Sequence, residues 1–154
     1  MILAAIERDG EIRLTIGKNN SRKVLHRFIN QNAPNASRIM TDDWPAYEGI
    51  ADTDTTHETV NHSQKEYVRG DVHTNTVEGA FGLFKRSIVG SFHQLSHKHL
   101  ERYLDEFEFR HNNRKNPYLF RDTLLKLIAS PKMEYRKLID HEPIRYQSDL
   151  QPVD

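Results

Sequence analysis

The apolar residues of this chain change their spacing partway along, and that change limits what the chain can fold into. In residues 1–16 the spacing is that of strands. Ile2 to Ile6 is a short apolar run, Asp9-Gly10 is a two-residue turn signal, and Ile12, Leu14 and Ile16 alternate with Arg13 and Thr15. From Thr74 onward the spacing is helical: Val77, Phe81, Phe84 and Ile88 fall at i, i+4, i+7 and i+11. Strands first and helices later give an α/β or α+β pattern.

Between these regions the spacing predicts a helix over 21–32, with Val24, Leu25, Phe28 and Ile29 on one face and Ala33-Pro34-Asn35 ending it. Short strands follow over 38–41 and 57–61. Beyond the helix over 74–88, a turn at Val89-Gly90 precedes a second helix over 96–112 with Leu100, Tyr103, Leu104, Phe107 and His111 along its stripe. A last helix over 120–129 carries Leu124, Leu125 and Ile128, and the tail after Ile139 reads as irregular. The division expected is a domain over 1–130 and an extension over 131–154.

Composition excludes several classes. The 154 residues suit one domain, and the apolar fraction of 36% allows only a small core. With no cysteine there is no disulfide scaffold, no cysteine-ligated zinc and no thiol chemistry. No stretch approaches the length of a membrane span, and the first six residues are too short for a signal peptide, so a soluble cytoplasmic protein is expected. The 22 Lys+Arg balance 22 Asp+Glu, which leaves nucleic-acid binding to local patches.

One constellation carries chemistry. Asp42 falls where a short strand ends, Glu78 follows after 35 intervening residues in the first turn of a helix, and Lys85 lies seven residues on, two turns along the same face. Two carboxylates suit hard divalent cations such as Mg²⁺ or Mn²⁺, and a metal pair can activate a water or a 3′-hydroxyl against a phosphodiester. Lys85 would contact phosphate. A plainer reading stands beside it: Asn75-x-x-Glu78 also fits a capping box, and Asp42-Asp43 before Trp44-Pro45 fits a cap on a short turn. Trp44 and Tyr47 read as packing residues over the strand end. His93, His97 and His99 give no clear zinc spacing, and His57 and His62 bracket a strand. Lys85, Arg86, Lys98 and Arg102, with Arg110, Arg114 and Lys115, form either a DNA-backbone track or a solvated helix face paired with nearby acids.

The stretch His73-Thr74-Asn75-Thr76-Val77-Glu78-Gly79-Ala80-Phe81-Gly82-Leu83-Phe84-Lys85-Arg86, followed by Gly90-Ser91-Phe92-His93 and by Tyr103-Leu104-x-Glu106-Phe107-x-Phe109-Arg110-x-Asn112, resembles the DDE transposase domain of ISXO2-like and IS1595-type insertion sequences. Thr41-Asp42-x-Trp44-x-x-Tyr47 and His57-Glu58-x-Val60-Asn61-His62-Ser63 extend the likeness, which spans roughly residues 1–115. The resemblance implies an RNase H-like α/β fold: a mixed sheet flanked by helices, with acidic residues binding two Mg²⁺ or Mn²⁺ ions. Asp42 matches the family's second aspartate, Glu78 the glutamate of its Asn-x-x-Glu motif, Asn75 that asparagine and Lys85 the lysine that follows. Asp42 and Glu78 would be metal ligands, with Asn75 and Lys85 assisting.

The family's first aspartate, on a strand ahead of the one beginning near Met1, has no match within residues 1–16. The resemblance therefore describes an N-terminally truncated domain that lacks its first strand, with impaired catalysis. Its partners would be DNA at insertion-sequence ends and targets, and a second copy or a full-length transposase, with no membrane. The alternative is a non-catalytic remnant that binds DNA or oligomerises.

Overall fold

The structure is a computed structural model that describes residues 1–33 and 37–135. Its first unit is the expected hairpin. Strands β1 (Ile2–Ile6) and β2 (Ile12–Ile16) pair antiparallel, Ile2 opposite Ile16 and Ile6 opposite Ile12. The turn is longer than a two-residue loop. Glu7 N–H donates to Glu11 O at 2.9 Å, so residues 8–10 make the connection, with Asp9 at φ 60. Aspartate is among the few non-glycine residues that take this left-handed conformation readily.

Helix α1 (Arg22–Asn32) buries Val24, Leu25 and Phe28 against Leu3 of β1, with Ala5 and Ile29 packed beside them. Asn32 Nδ2 donates to Phe28 O at 2.7 Å, within the last turn. Strand β3 (Arg38–Asp42) then pairs parallel with β4 (Thr56–Val60), Asp42 opposite Val60. A parallel neighbour needs a crossover segment, here the thirteen residues 43–55, which include a 3₁₀ turn, Pro45–Tyr47.

A second hairpin, with two-residue strands, was not legible in the sequence: β5 (Val68–Arg69) and β6 (Val72–His73), turning at Gly70-Asp71 with Gly70 at φ +64. Val68 and Val72 are the only apolar residues in the two strands, too few to show a period.

Helix α2 (Asn75–Ser87) follows and buries Ala80 and Phe84. The expected turn at Val89-Gly90 is instead a π-helical turn, Ile88–Phe92, which ends at His93 with φ 58. After a 3₁₀ turn His97–His99, α3 (Leu100–Asn112) buries Leu104. Phe84, Leu104 and Ile16 form a second core cluster, with Ile2, Leu14, Ile88, Leu95, Leu100 and Phe107 packed on it. The hairpin is thus covered on both faces: α1 lies over Leu3 and Ala5, and α2 with α3 lies over Ile2, Leu14 and Ile16. Helix α4 (Leu119–Ala129) differs. It buries none of its residues among those described, and Leu124, Leu125 and Ile128 of its expected stripe are 46%, 58% and 74% exposed.

The class is mixed α/β, as expected. The strands do not join into one sheet, however, but form three separate two-stranded sheets among the described residues. The tail beyond Ile139, and with it most of the 131–154 extension, lies outside the described residues.

Arg38 ties two of these sheets together. From β3 its guanidinium binds Glu58 on β4 and Asp71 in the β5–β6 turn. Hydrogen bonds from Arg38 hold both carboxyls below their ordinary range. A depressed carboxylate pKa adds stability that is present above the unfolded value and is lost as pH falls through the folded one. The melting temperature of Arg38→Gln is therefore expected to lie below that of the wild type at neutral pH. The difference should close as pH drops below about 4, measured by thermal melts from neutral to acid pH. A constant gap across that range would show that Arg38 acts through packing and not through charge.

Candidate active site

The site is built at the carboxyl ends of β3 and β4, where open α/β sheets commonly bind ligands. Asp42 ends β3 and is half-buried. Its Oδ1 accepts the Trp44 N–H at 3.3 Å, and Pro45, with its fixed φ, opens the 3₁₀ turn that follows. At the paired end of β4, the Asn61 side chain caps the 3₁₀ turn His62–Gln64 by accepting the Gln64 N–H at 2.9 Å. That turn carries His62 to the start of α2. His62 Nε2 lies 3.8 Å from Glu78 Oε1 and 3.3 Å from Thr74 Oγ1, and the Thr74 hydroxyl donates to Glu78 Oε1 at 2.6 Å. Asp42 and Glu78, far apart in sequence, therefore lie at the same end of the parallel pair, linked through Val60 and the His62 turn.

Glu78 does not close a capping box. The residue at the cap is Thr74, Asn75 is the first helical residue, and the Glu78 carboxylate bonds the Thr74 side chain. Glu78 remains 55% exposed, so its second oxygen is open to a ligand. Asn75 is exposed one turn earlier on the same helix. Thr74 is the residue the sequence reading missed; its place four residues before Glu78, at the helix entry, is the signal that marks it.

Around Asp42 the site is partly dry. Tyr47 packs on the α1 cluster as expected, and burial, with Asp42 nearby, pushes its hydroxyl pKa up. His57 Nε2 lies 2.9 Å from Thr41 Oγ1, and burial, with His26 nearby, pushes the imidazole pKa down. Trp44 departs from its expected packing role. It is 51% exposed, because the Asp42–Trp44 turn and Pro45 swing it off the strand end.

Of the four cations expected to face DNA, Lys85 and Arg86 are exposed in the last turn of α2, and Arg102 is exposed in the first turn of α3. Lys98 is half-buried in the His97–His99 turn. The Phe92 and Tyr103 rings, 4.7 Å apart, pack the π-helical turn against α3. Farther along α3, Arg110 bonds Glu106 in an i,i+4 pair, the solvated-face arrangement. Among the described residues, no three acids or histidines, these included, are grouped so that they could hold a metal ion. Nor is any described helix long and apolar enough to cross a membrane.

No curated protein and no solved structure matches this chain. A family model does: the ISXO2-like transposase domain matches residues 1–112, from β1 to the last residue of α3, and the chain belongs to that family.

Proposed function

We propose that this domain acts on DNA in transposition, with metal-dependent phosphodiester cleavage and strand transfer at insertion-sequence ends centred on Asp42 and Glu78. What supports this reading is that Asp42 ends one strand of the parallel pair while the turn after its partner strand brings His62 to Glu78, within a transposase-family domain. The order of hairpin, crossing helix, parallel pair and carboxylate-bearing helix is compatible with an RNase H-like frame.

Both carboxylates fit a hard cation. Glu78 is exposed and Asp42 half-buried, and each is oriented by a neighbour: Asp42 by the Trp44 N–H and Glu78 by the Thr74 hydroxyl. Mg²⁺ or Mn²⁺ held there would supply activation of a water or 3′-hydroxyl and stabilisation of the leaving oxygen. The chain's own part is positioning. Asn75 sits one turn before Glu78, where it can bond a phosphate or steady the carboxylate. Lys85, with Arg86, Lys98 and Arg102 around the α2–α3 junction, neutralises backbone phosphates without reading sequence.

A second reading, a DNA-binding or oligomerising domain without catalysis, draws on the absence of a third ligand among the described residues. Oligonucleotides carrying candidate terminal repeats, incubated with Mn²⁺, separate the two. Cleavage that disappears in Asp42→Asn and in Glu78→Gln supports the enzyme, whereas repeat binding without cleavage supports the second reading.

Trp44 provides an independent check because it is the chain's one tryptophan and stands two residues from Asp42. Saturating DNA should quench its emission. Lys85→Ala should weaken binding across all sequences and lower the salt slope by about one. Unchanged emission at saturation would place the DNA elsewhere.

A further inference from the structure

Among the described residues ahead of α3, two aromatic side chains of the Phe, Trp and Tyr class stand exposed: Trp44 at 51% and Tyr67 at 56%. Apolar residues scattered singly over a surface call for no explanation. These two are not scattered, because each stands beside one of the candidate carboxylates.

Trp44 follows Asp42 by two residues, and its backbone is bonded on both sides. Its N–H donates to Asp42 Oδ1 at 3.3 Å, and its C=O accepts the Tyr47 N–H at 3.0 Å. Pro45 restricts φ at the next position. A short, braced turn therefore presents the indole.

Tyr67 is reached from the partner strand. Beyond Val60 the chain turns through His62–Gln64, and Glu66 closes the loop. The Glu66 N–H donates to Asn61 O at 2.9 Å, and its carboxylate accepts the Asn61 N–H at 3.3 Å. Tyr67 then lays its ring against His62, with centroids 5.3 Å apart and planes tilted by 43°. His62 is the residue that lies 3.8 Å from Glu78. Asp42 and Val60 are register partners, so two residues onward from that pair stand Trp44 on one side and His62, carrying Tyr67, on the other.

The surroundings narrow what such rings can hold. Asp43 and Pro45 flank Trp44, while Lys65, Glu66, Val68 and Arg69 are the chain neighbours of Tyr67. The anchor of a protein interface sits in a fully desolvated pocket. A ring among charged groups suits instead a planar ligand that carries its own charge. A nucleotide does so, its base stacking on the ring while its phosphate stays with the cations. Bases within a duplex are already stacked on one another, so these rings can take only a base that is unpaired or turned out.

We propose that Trp44 and Tyr67 are stacking platforms for unpaired bases, and that the site takes DNA whose strands are parted there in preference to intact duplex. The inference rests on the DNA reading of Asp42 and Glu78 and adds to it the state of the substrate.

The test compares two duplexes of one sequence, one fully paired and one with a short central bubble of opposed thymines. Each is titrated with the full chain by fluorescence anisotropy, without divalent metal so that no strand is cut. The bubble should bind more tightly by about tenfold. Trp44→Ala and Tyr67→Ala should each remove most of that preference and leave affinity for the paired duplex unchanged. Trp44→Phe and Tyr67→Phe keep a ring and should retain it. Equal affinity for the two duplexes, or a preference that survives both alanine variants, would overturn the inference and leave the DNA reading standing. Binding of neither duplex would overturn both. Self-association that the alanine variants abolish, without any preference for the bubble, would overturn the inference in favour of a protein interface.

Discussion

Asn112→Ala is expected to lower the stability of the domain by about 2–4 kcal/mol, although it deletes only a carboxamide. Asn112 Oδ1 accepts the Ile12 N–H at 2.8 Å and Asn112 Nδ2 donates to Ile12 O at 3.0 Å. One side chain therefore satisfies both backbone groups of a residue that is only 1% exposed. Alanine leaves a donor and an acceptor stranded at a buried strand edge, and each stranded group carries its full desolvation cost. Asn112→Asp distinguishes this from lost packing: the carboxylate can still accept from Ile12 N–H but faces Ile12 O with no proton to give. Urea denaturation of the three proteins should rank wild type above both variants. If Asn112→Ala unfolds with the wild-type midpoint, the edge-sealing role is wrong.

Phe84→Ala should cost more, about 3–5 kcal/mol. Phe84 is 4% exposed and sits where α2, α3 and the hairpin meet. Its ring meets the Phe107 ring edge-on, with centroids 5.3 Å apart, an arrangement that stabilises beyond burial alone. The apolar core is small, so no large neighbour can fill the gap, and the loss approaches the whole stability of an ordinary domain. Loss of the cooperative thermal transition at 25 °C or just above is the expected result. Phe84→Leu, which keeps most of the volume, should retain the transition. Equal damage from both would mean that the ring's shape matters more than the cavity.

Much of this fold was legible from the spacing of apolar residues. Ile2, Ile12, Leu14 and Ile16 gave the hairpin, and Val24, Leu25 and Phe28 gave α1. The apolar faces of α2 and α3 followed from Phe84 and Leu104, with boundaries within a few residues of those observed. The β5–β6 hairpin was not legible, because two-residue strands carry no measurable period. Gly90 suggested a break, but the chain continues through a π-helical turn and stops at His93, where Phe92 is anchored on Tyr103. Leu124, Leu125 and Ile128 formed a helical stripe as expected, yet periodicity could not say that no described residue covers it.

The candidate site divides in the same way. Residue type and spacing singled out Asp42, Glu78 and Lys85, because hard cations and phosphates demand carboxylates and an ammonium, and helical geometry fixes Glu78 and Lys85 on one face; the capping reading stood beside them, and Asn75 entered as a site residue only through the family resemblance. Sequence also determined the family, since the order of motifs is a property of the chain itself. Only the tertiary structure decided that Asp42 and Glu78 share one end of a parallel pair, that Thr74 and not a capping box holds Glu78, and that Trp44 stands in solvent. It also decided that Asn112 seals the outer edge of β2 at Ile12. The physical reason is that these are relations between segments distant along the chain. Local propensity acts over a few residues, whereas the pairing of β3 with β4 and the docking of α3 on β2 follow from which surfaces the whole chain can bury together.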